Sequence, residues 1–218
     1  MNATVYMVPL SKLDFVKEGD SVQHTLELMQ KGSYKTLPVV SEQNHFVGVI
    51  HEVKLYEAFF YNEVEKDEFL KAEIRPLVSY KIQSIEKHTD FIEVILKMEK
   101  MDIHFLPVLD QDHRFLGIVT RNKIFEAFES AFGYNQDGYL IEVVAIDVKG
   151  QLARLAKAIS DTGSNIVSIV QFDLSVANLE RIIVKVQADN VDEVLTNIAN
   201  EGFRVTNHKF IPRLKKAE

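Results

Sequence analysis

Residues 37–59 read LPVVSEQNHFVGVIHEVKLYEAF, and residues 106–128 read LPVLDQDHRFLGIVTRNKIFEAF. At an offset of 69, 9 of the 23 aligned pairs are identical, and 6 more exchange one apolar residue for another. The offset also holds upstream. Val22, Leu26 and Met29 fall onto Phe91, Ile95 and Met98, and both triplets are spaced i, i+4, i+7, which places each on one face of a helix. A capping side chain precedes each helix, Asp20 or Ser21 in the first copy and Thr89 or Asp90 in the second. Two copies of one unit therefore occupy the first part of the chain.

Within each copy the expected order is strand, helix, short strand (37–40; 106–109), polar turn, second strand (46–50; 115–119) and a closing helix. The closing helices carry Leu55, Ala58 and Phe59 in the first copy, and Phe125, Phe128 and Phe132 in the second. A two-strand hairpin flanked by helices cannot bury its apolar faces alone, so the copies are expected to pair. The charged stretch 62–68 between them reads as a solvated linker or helix face rather than catalytic carboxylates.

Beyond the bracketing glycines Gly133 and Gly138 the pattern changes. Residues 139–146 are strand-like, and Leu152, Leu155, Ala156 and Ile159 make a helical apolar face that ends at Gly163. Residues 165–172 and 179–187 form a β-rich hairpin. A second helix carries Val191, Val194, Leu195 and Ile198, and residues 203–210 close as a strand. The order βαββαβ predicts a ferredoxin-like sandwich, a four-stranded antiparallel sheet with two helices on one face.

Composition limits what such a chain can do. Its 218 residues are 46% hydrophobic and 26% charged, ordinary values for a globular protein. The net charge is −7, and residues 1–138 hold 15 Lys/Arg against 22 Asp/Glu, which disfavours a nucleic-acid backbone as partner. There is no cysteine, which removes disulfides, thiolate nucleophiles and Cys-ligated metals and suits a reducing cytosol. No apolar run approaches 18 residues, and the N-terminus lacks a signal-peptide pattern, so a cytoplasmic location and no membrane are expected. No P-loop, His-Glu-x-x-His or Gly-x-Ser-x-Gly motif is present, and the seven histidines are scattered, so neither an enzyme nor a metal site is expected.

The duplicated pattern of Leu-Pro-Val, polar turn, apolar-Gly-apolar-apolar and helix resembles a tandem pair of cystathionine-β-synthase-type (CBS) domains, a Bateman module. Asp147-Val148-Lys149-Gly150-Gln151-Leu152, with Gly163-Ser164-Asn165-Ile166, resembles the ACT domain, a small-molecule regulatory module. A CBS pair followed by an ACT domain resembles the layout of the acetoin-utilisation protein B type. The resemblance implies an α+β chain with CBS domains at 1–62 and 75–133, a linker at 63–74, and a ferredoxin-like βαββαβ ACT domain at 139–213. It also implies clefts for an adenine nucleotide such as AMP, ATP or cyclic di-AMP. In ligand-binding CBS domains a Gly-apolar-apolar-Thr/Ser-x-x-Asp motif gives a hydroxyl to phosphate or ribose and a carboxylate to the ribose hydroxyls. Here the second copy keeps Thr120 but has Lys123 for Asp, and the first has His51 and Lys54 in the two places. A lysine donates hydrogen bonds and cannot accept them, so the usual ribose clamp is replaced by groups suited to phosphate. Cyclic di-AMP, whose 3′ oxygens are esterified, becomes relatively more attractive.

The candidate nucleotide-binding residues are thus Thr120, Lys123, Arg121, His104, Lys35, His51, Lys54, Ile82 and Leu13. Lys35 and His104 stand two residues before the Leu-Pro pairs, where the family often has a phosphate-binding basic group; Leu13 and Ile82 are candidates for adenine contact, or simply core. The candidate ACT effector residues are Asp147, Gly150, Gln151, Leu152 and Asn165, at a turn where helix N–H groups can hold a carboxylate. Gly150 could equally serve the tight turn alone. The expected function is regulatory and non-enzymatic: nucleotide sensing in the CBS pair, with the ACT domain as a homodimerisation or amino-acid-binding unit acting on a target protein. The alternative is a ligand-independent assembly module.

Overall fold

The computed structural model describes residues 2–61, 65–100, 104–174 and 178–213. The chain divides into two compact units, residues 1–124 and 125–218. In the first, a short strand β1 (Val8–Pro9) precedes the first copy. That copy comprises β2 (Val16–Lys17), α1 (Val22–Gly32), β3 (Thr36–Val40), β4 (Phe46–His51) and α2 (Glu52–Tyr61). After α3 (Lys66–Lys71), the second copy comprises β5 (Ile85–Glu86), α4 (Phe91–Glu99), β6 (Phe105–Leu109), β7 (Phe115–Thr120) and α5 (Arg121–Ala131), of which residues 125–131 belong to the second unit.

The offset of 69 survives at the level of single hydrogen bonds. Ser21 caps α1, its hydroxyl accepting the His24 N–H at 3.2 Å, and its counterpart Asp90 caps α4 by accepting the Ile92 N–H at 2.8 Å. The neighbouring candidates close turns instead: Asp20 accepts the Lys17 N–H at 2.8 Å, and Thr89 accepts the Glu86 N–H at 3.0 Å. Val16 pairs in parallel with Val39, as Ile85 does with Val108, and both hairpins carry a bulge at the same place, between Val39 and Val40 and between Val108 and Leu109.

The copies are intertwined. Val8, ahead of the first copy, pairs antiparallel with Ile118 of the second, while Ser79, ahead of the second copy, bridges Val49 of the first. This exchange explains the repeated glycine. A Cβ on Gly48 would lie 2.4 Å from the Ser79 carbonyl oxygen, and one on Gly117 would lie 2.2 Å from that of Val8. Only glycine lets the crossing strand come so close. Val40, Val49, Phe105, Phe115 and Ile118 form a core drawn from both copies, and the Phe46 and Phe115 rings stand 5.3 Å apart.

One expectation needs correction. The second closing helix does not bury the Phe125–Phe128 face: the buried positions are Ile124 and Ala127, while Phe125 is 64% exposed. Apolar residues at 124, 125, 127 and 128 make two adjacent stripes, and only the one with Ile124 and Ala127 is buried. The charged stretch 62–68, expected as a solvated linker or helix face, runs into α3 with residues 65–68 exposed; beyond it Phe69 is buried with Val22, Leu37 and Ile74, its ring centre 5.3 Å from that of Phe59, and residues 62–64 lie outside the described residues.

The second unit contains β8 (Gly138–Ile146), α6 (Gln151–Ser160), β9 (Asn165–Asp173), β10 (Leu179–Gln187), α7 (Val191–Asn200) and β11 (Arg204–Ile211). The sheet order is β11-β8-β10-β9, antiparallel throughout. Ile141, Val143, Ala145, Ile182, Val184 and Val186 alternate onto one sheet face and meet Leu155 and Ile159 of α6 and Val194 and Ile198 of α7. That is the expected βαββαβ sandwich. On the other face, the only fully buried charged side chain among the described residues, Lys185, holds the segment that follows α5. No helix of the described residues is long and apolar enough to cross a membrane.

Candidate functional site

The base of each hairpin brings the CBS-type candidates together. Thr36 faces His51 across the β3–β4 ladder, and Phe105 faces Thr120 across the β6–β7 ladder. In both copies the first helical residue then donates its N–H backwards, Glu52 to the Lys35 carbonyl at 3.0 Å and Arg121 to the His104 carbonyl at 3.1 Å. The backbones match, so the difference between the copies lies in their side chains.

In the second copy Thr120 is the last residue of β7, and its hydroxyl oxygen accepts the Lys123 N–H at 3.2 Å, the capping geometry that opens α5. Exposed Arg121 and half-buried Lys123 open α5, and exposed His104, just ahead of β6, meets this turn through its carbonyl. Three nitrogen-bearing side chains and a hydroxyl at a helix N-terminus suit an anion such as a phosphate. Neither copy offers a carboxylate at the position of Lys54 or Lys123, so a ribose diol finds no acceptor there.

The first copy is built differently. The Lys35 ammonium contacts the Glu52 carboxylate at 2.5 Å, and that carboxylate is 16% exposed. The hydrogen bond and charge of Glu52 push the Lys35 pKa up from its ordinary value. His51 Nδ1 lies 3.0 Å from the Thr36 hydroxyl; Lys54 pairs with Glu57 at 2.7 Å, two residues that the second copy repeats as Lys123 and Glu126. Glu52 and Thr36 were not among the sequence candidates. Their signal was present in the repeat, where Glu52 aligns with Arg121 and reverses its charge. Leu13 and Ile82 are themselves related by the offset, and both pack against the core shared by the copies.

The ACT-type candidates do not all meet. Asp147, Gly150, Gln151 and Leu152 lie at the β8–α6 turn, where Gln151 is buried and the Asp147 N–H donates to the Asn178 carbonyl at 2.7 Å. Arg154, one turn into α6, donates to the Glu201 carbonyl and lies over the Phe203 ring. Asn165 is at the opposite end of the sheet: β10 pairs with Ile146 through Leu179 and with Asn165 through Gln187, the full strand length away. There it helps to line an open polar groove of about 610 Å³ with Asp137, Gln187, Asn190, Glu193 and Phe210. No local pattern marks this groove, because its walls come from four separate segments. Among the described residues no cluster of three or more His, Asp or Glu could hold a metal ion.

Comparison with known proteins bears on the first unit. The family model described as CBS domain matches residues 5–61 and 73–130. Homoserine O-acetyltransferase of Methanosarcina acetivorans is 32% identical over 113 residues, 52% of this chain and 19% of the relative. Arabinose 5-phosphate isomerase KdsD of Francisella tularensis is 32% identical over 117 residues, 53% of this chain and 34% of the relative. The chain thus spans between about a fifth and a third of these curated relatives. Among solved structures, CbpB in complex with c-di-AMP superposes with a TM-score of 0.55 at 22% identity, over 60% of this chain and 85% of that one. CBSX2 in complex with AMP gives 0.50 at 27%, over 58% and 95%. A CBS domain-containing protein of unknown function from Bacillus anthracis gives 0.53 at 22%, over 59% and 93%.

Proposed function

This chain belongs to the CBS-domain family, and from that premise we propose that it is a regulatory protein whose CBS pair senses an adenine nucleotide. The observation that carries the reading is the second-copy turn, where the Thr120 hydroxyl opens α5 beside His104, Arg121 and Lys123 in a chain of net charge −7. Such a cation-rich turn suits a phosphate. The likeness to CBSX2, solved with AMP, supports the nucleotide class. Lysine at positions 54 and 123 turns the preference towards ligands rich in phosphate and poor in free ribose hydroxyls, cyclic di-AMP among them. Leu13 and Ile82 are the candidate apolar contacts to the base.

In this proposal the βαββαβ unit is an ACT-type domain that serves homodimerisation or binds a small effector such as an amino acid, the arrangement of the acetoin-utilisation protein B type. The chain carries out no chemistry of its own and works in the cytoplasm, where its nucleotide is found. Ligand binding shifts the population of two arrangements and so alters a target protein. The same two lysines favour a second reading, an assembly module that takes no ligand.

A thermal-shift panel of AMP, ADP, ATP, S-adenosylmethionine and cyclic di-AMP, with free amino acids as a second set, tests the proposal. A ligand at 100 times its Kd stabilises by about 2.7 kcal/mol, which moves the melting temperature by several degrees. An adenine nucleotide that raises the melting temperature supports the sensor. A flat panel on folded protein supports the assembly module.

A further inference from the structure

Helix α2 carries an apolar stripe on its outer side that the repeat does not require. Leu55 faces inward and is fully buried, whereas Val53, Tyr56, Phe60 and Tyr61, spaced i, i+3, i+7 and i+8, are 57%, 51%, 80% and 79% exposed. Phe60 and Tyr61 are the two most exposed large hydrophobic side chains among the described residues, and their rings meet edge to face with centres 5.2 Å apart. At the offset of 69 the same helical positions hold Asn122, Phe125, Glu129 and Ser130. Three of the four are polar there, so packing within a copy does not account for the first-copy stripe. Contiguous exposed apolar surface of this kind marks an interaction site.

Three features fit a second copy of the chain, laid antiparallel on α2 about a two-fold axis between residues 56 and 57. In that register Val53 of one copy comes level with Phe60 of the other, a small side chain opposite a large one, as close packing favours. The exposed charges beside the stripe are Lys54 and Glu57, one of each sign. Reversing the helix brings Lys54 of one copy towards Glu57 of the other, whereas a parallel pair would set like charges side by side. The four side chains present on the order of 500 Å² per copy, so a two-fold pair covers about 1,000 Å², the area at which an interface becomes specific.

We infer that the outer face of α2 is a self-association surface, on which a second copy of the chain seats its own α2 antiparallel. This surface belongs to the CBS pair. It is additional to the homodimerisation proposed for the C-terminal unit, and it does not depend on the nucleotide reading.

The chain has no cysteine, so a single introduced thiol in the full chain reports the pairing. Tyr56→Cys places the thiols of two copies on either side of the axis, and mild oxidation should convert it into a disulfide-linked dimer. Gln43→Cys, in the exposed turn of the first hairpin, is the control and should link far more slowly. Val53→Asp/Phe60→Asp alters only exposed positions, so it should keep the wild-type urea midpoint while weakening self-association at least tenfold in sedimentation equilibrium. Tyr56→Cys that links no faster than Gln43→Cys would overturn the inference, because copies joined through another face keep these thiols apart. A folded double variant that associates as tightly as the wild type would overturn it as well. So would a wild type that stays monomeric throughout the titrated range, which would leave the stripe to a different protein.

Discussion

The ammonium of Lys185 donates to the carbonyl oxygen of Gly133 at 3.0 Å and lies 5.3 Å from the centre of the Tyr134 ring. Lys185 is 1% exposed, on the sheet face opposite the helices. Beside it, Ser168 donates to the Phe132 carbonyl at 3.0 Å. The residues so held are the C-terminal turn of α5, where the Tyr134 N–H closes on the Glu129 carbonyl and Gly133 turns with φ +70°. A cation at this place opposes the negative end of the helix dipole.

Lys185→Ala should destabilise the C-terminal unit by about 2–4 kcal/mol, since it removes a buried stem and one of the two donors to the Gly133 carbonyl, the other being the Gln136 N–H at 3.2 Å. Chemical denaturation measures this. Lys185→Met, which keeps most of the stem, should recover part of the loss.

The same lysine makes stability depend on pH. Burial pushes its pKa below the ordinary 10.5, and Asp137 offsets part of that effect. The unfolded chain therefore holds this proton to higher pH than the folded one, so the cost of burying the charge is present at neutral pH and is relieved as pH rises through the folded value towards 10.5. Measured against Lys185→Met, the wild type should gain relative stability across the alkaline interval below 10.5. A difference that does not vary with pH would contradict this.

Gly48→Ala and Gly117→Ala should each destabilise the CBS pair by roughly 2–4 kcal/mol, because the added methyl meets the crossing backbone rather than a side chain that can swing away. Gly19→Ala is the control, with no atom within 4 Å of the added carbon. Urea midpoints of the three variants report the contrast.

Thr120→Ala should weaken AMP binding at least tenfold and lower stability by about 1 kcal/mol through loss of the α5 cap. Thr120→Ser, which retains the hydroxyl, should restore both. Lys123→Asp should improve AMP affinity by restoring an acceptor for the ribose hydroxyls. Equilibrium binding of the three variants, read beside their melting temperatures, separates the ligand contact from the cap.

How far the sequence carried this account depended on range. The repeat, the helix caps and the βαββαβ order are local or periodic, and all are legible in residues such as Val22, Met29, Ile141 and Val143. The exchange of entry segments was not, because β1 has two residues and carries no period; Gly48 and Gly117 recorded it only as a shared identity. Phe125 and Phe128 misled because a helix apolar on two stripes does not say which one is covered. The Lys35–Glu52 contact needed the β3–β4 register to bring residues 17 positions apart together. Asn165 was grouped with Asp147 by motif, whereas the length of one strand sets them at opposite ends of the sheet.

The most direct test of the central claim is equilibrium dialysis of the full chain against labelled AMP, with unlabelled cyclic di-AMP as competitor and Thr120→Ala in parallel. Saturable retention of AMP by the wild type, displacement by cyclic di-AMP, and at least tenfold weaker retention by Thr120→Ala are expected. A folded wild-type chain that retains no AMP, or one whose retention is unchanged in Thr120→Ala, would contradict it.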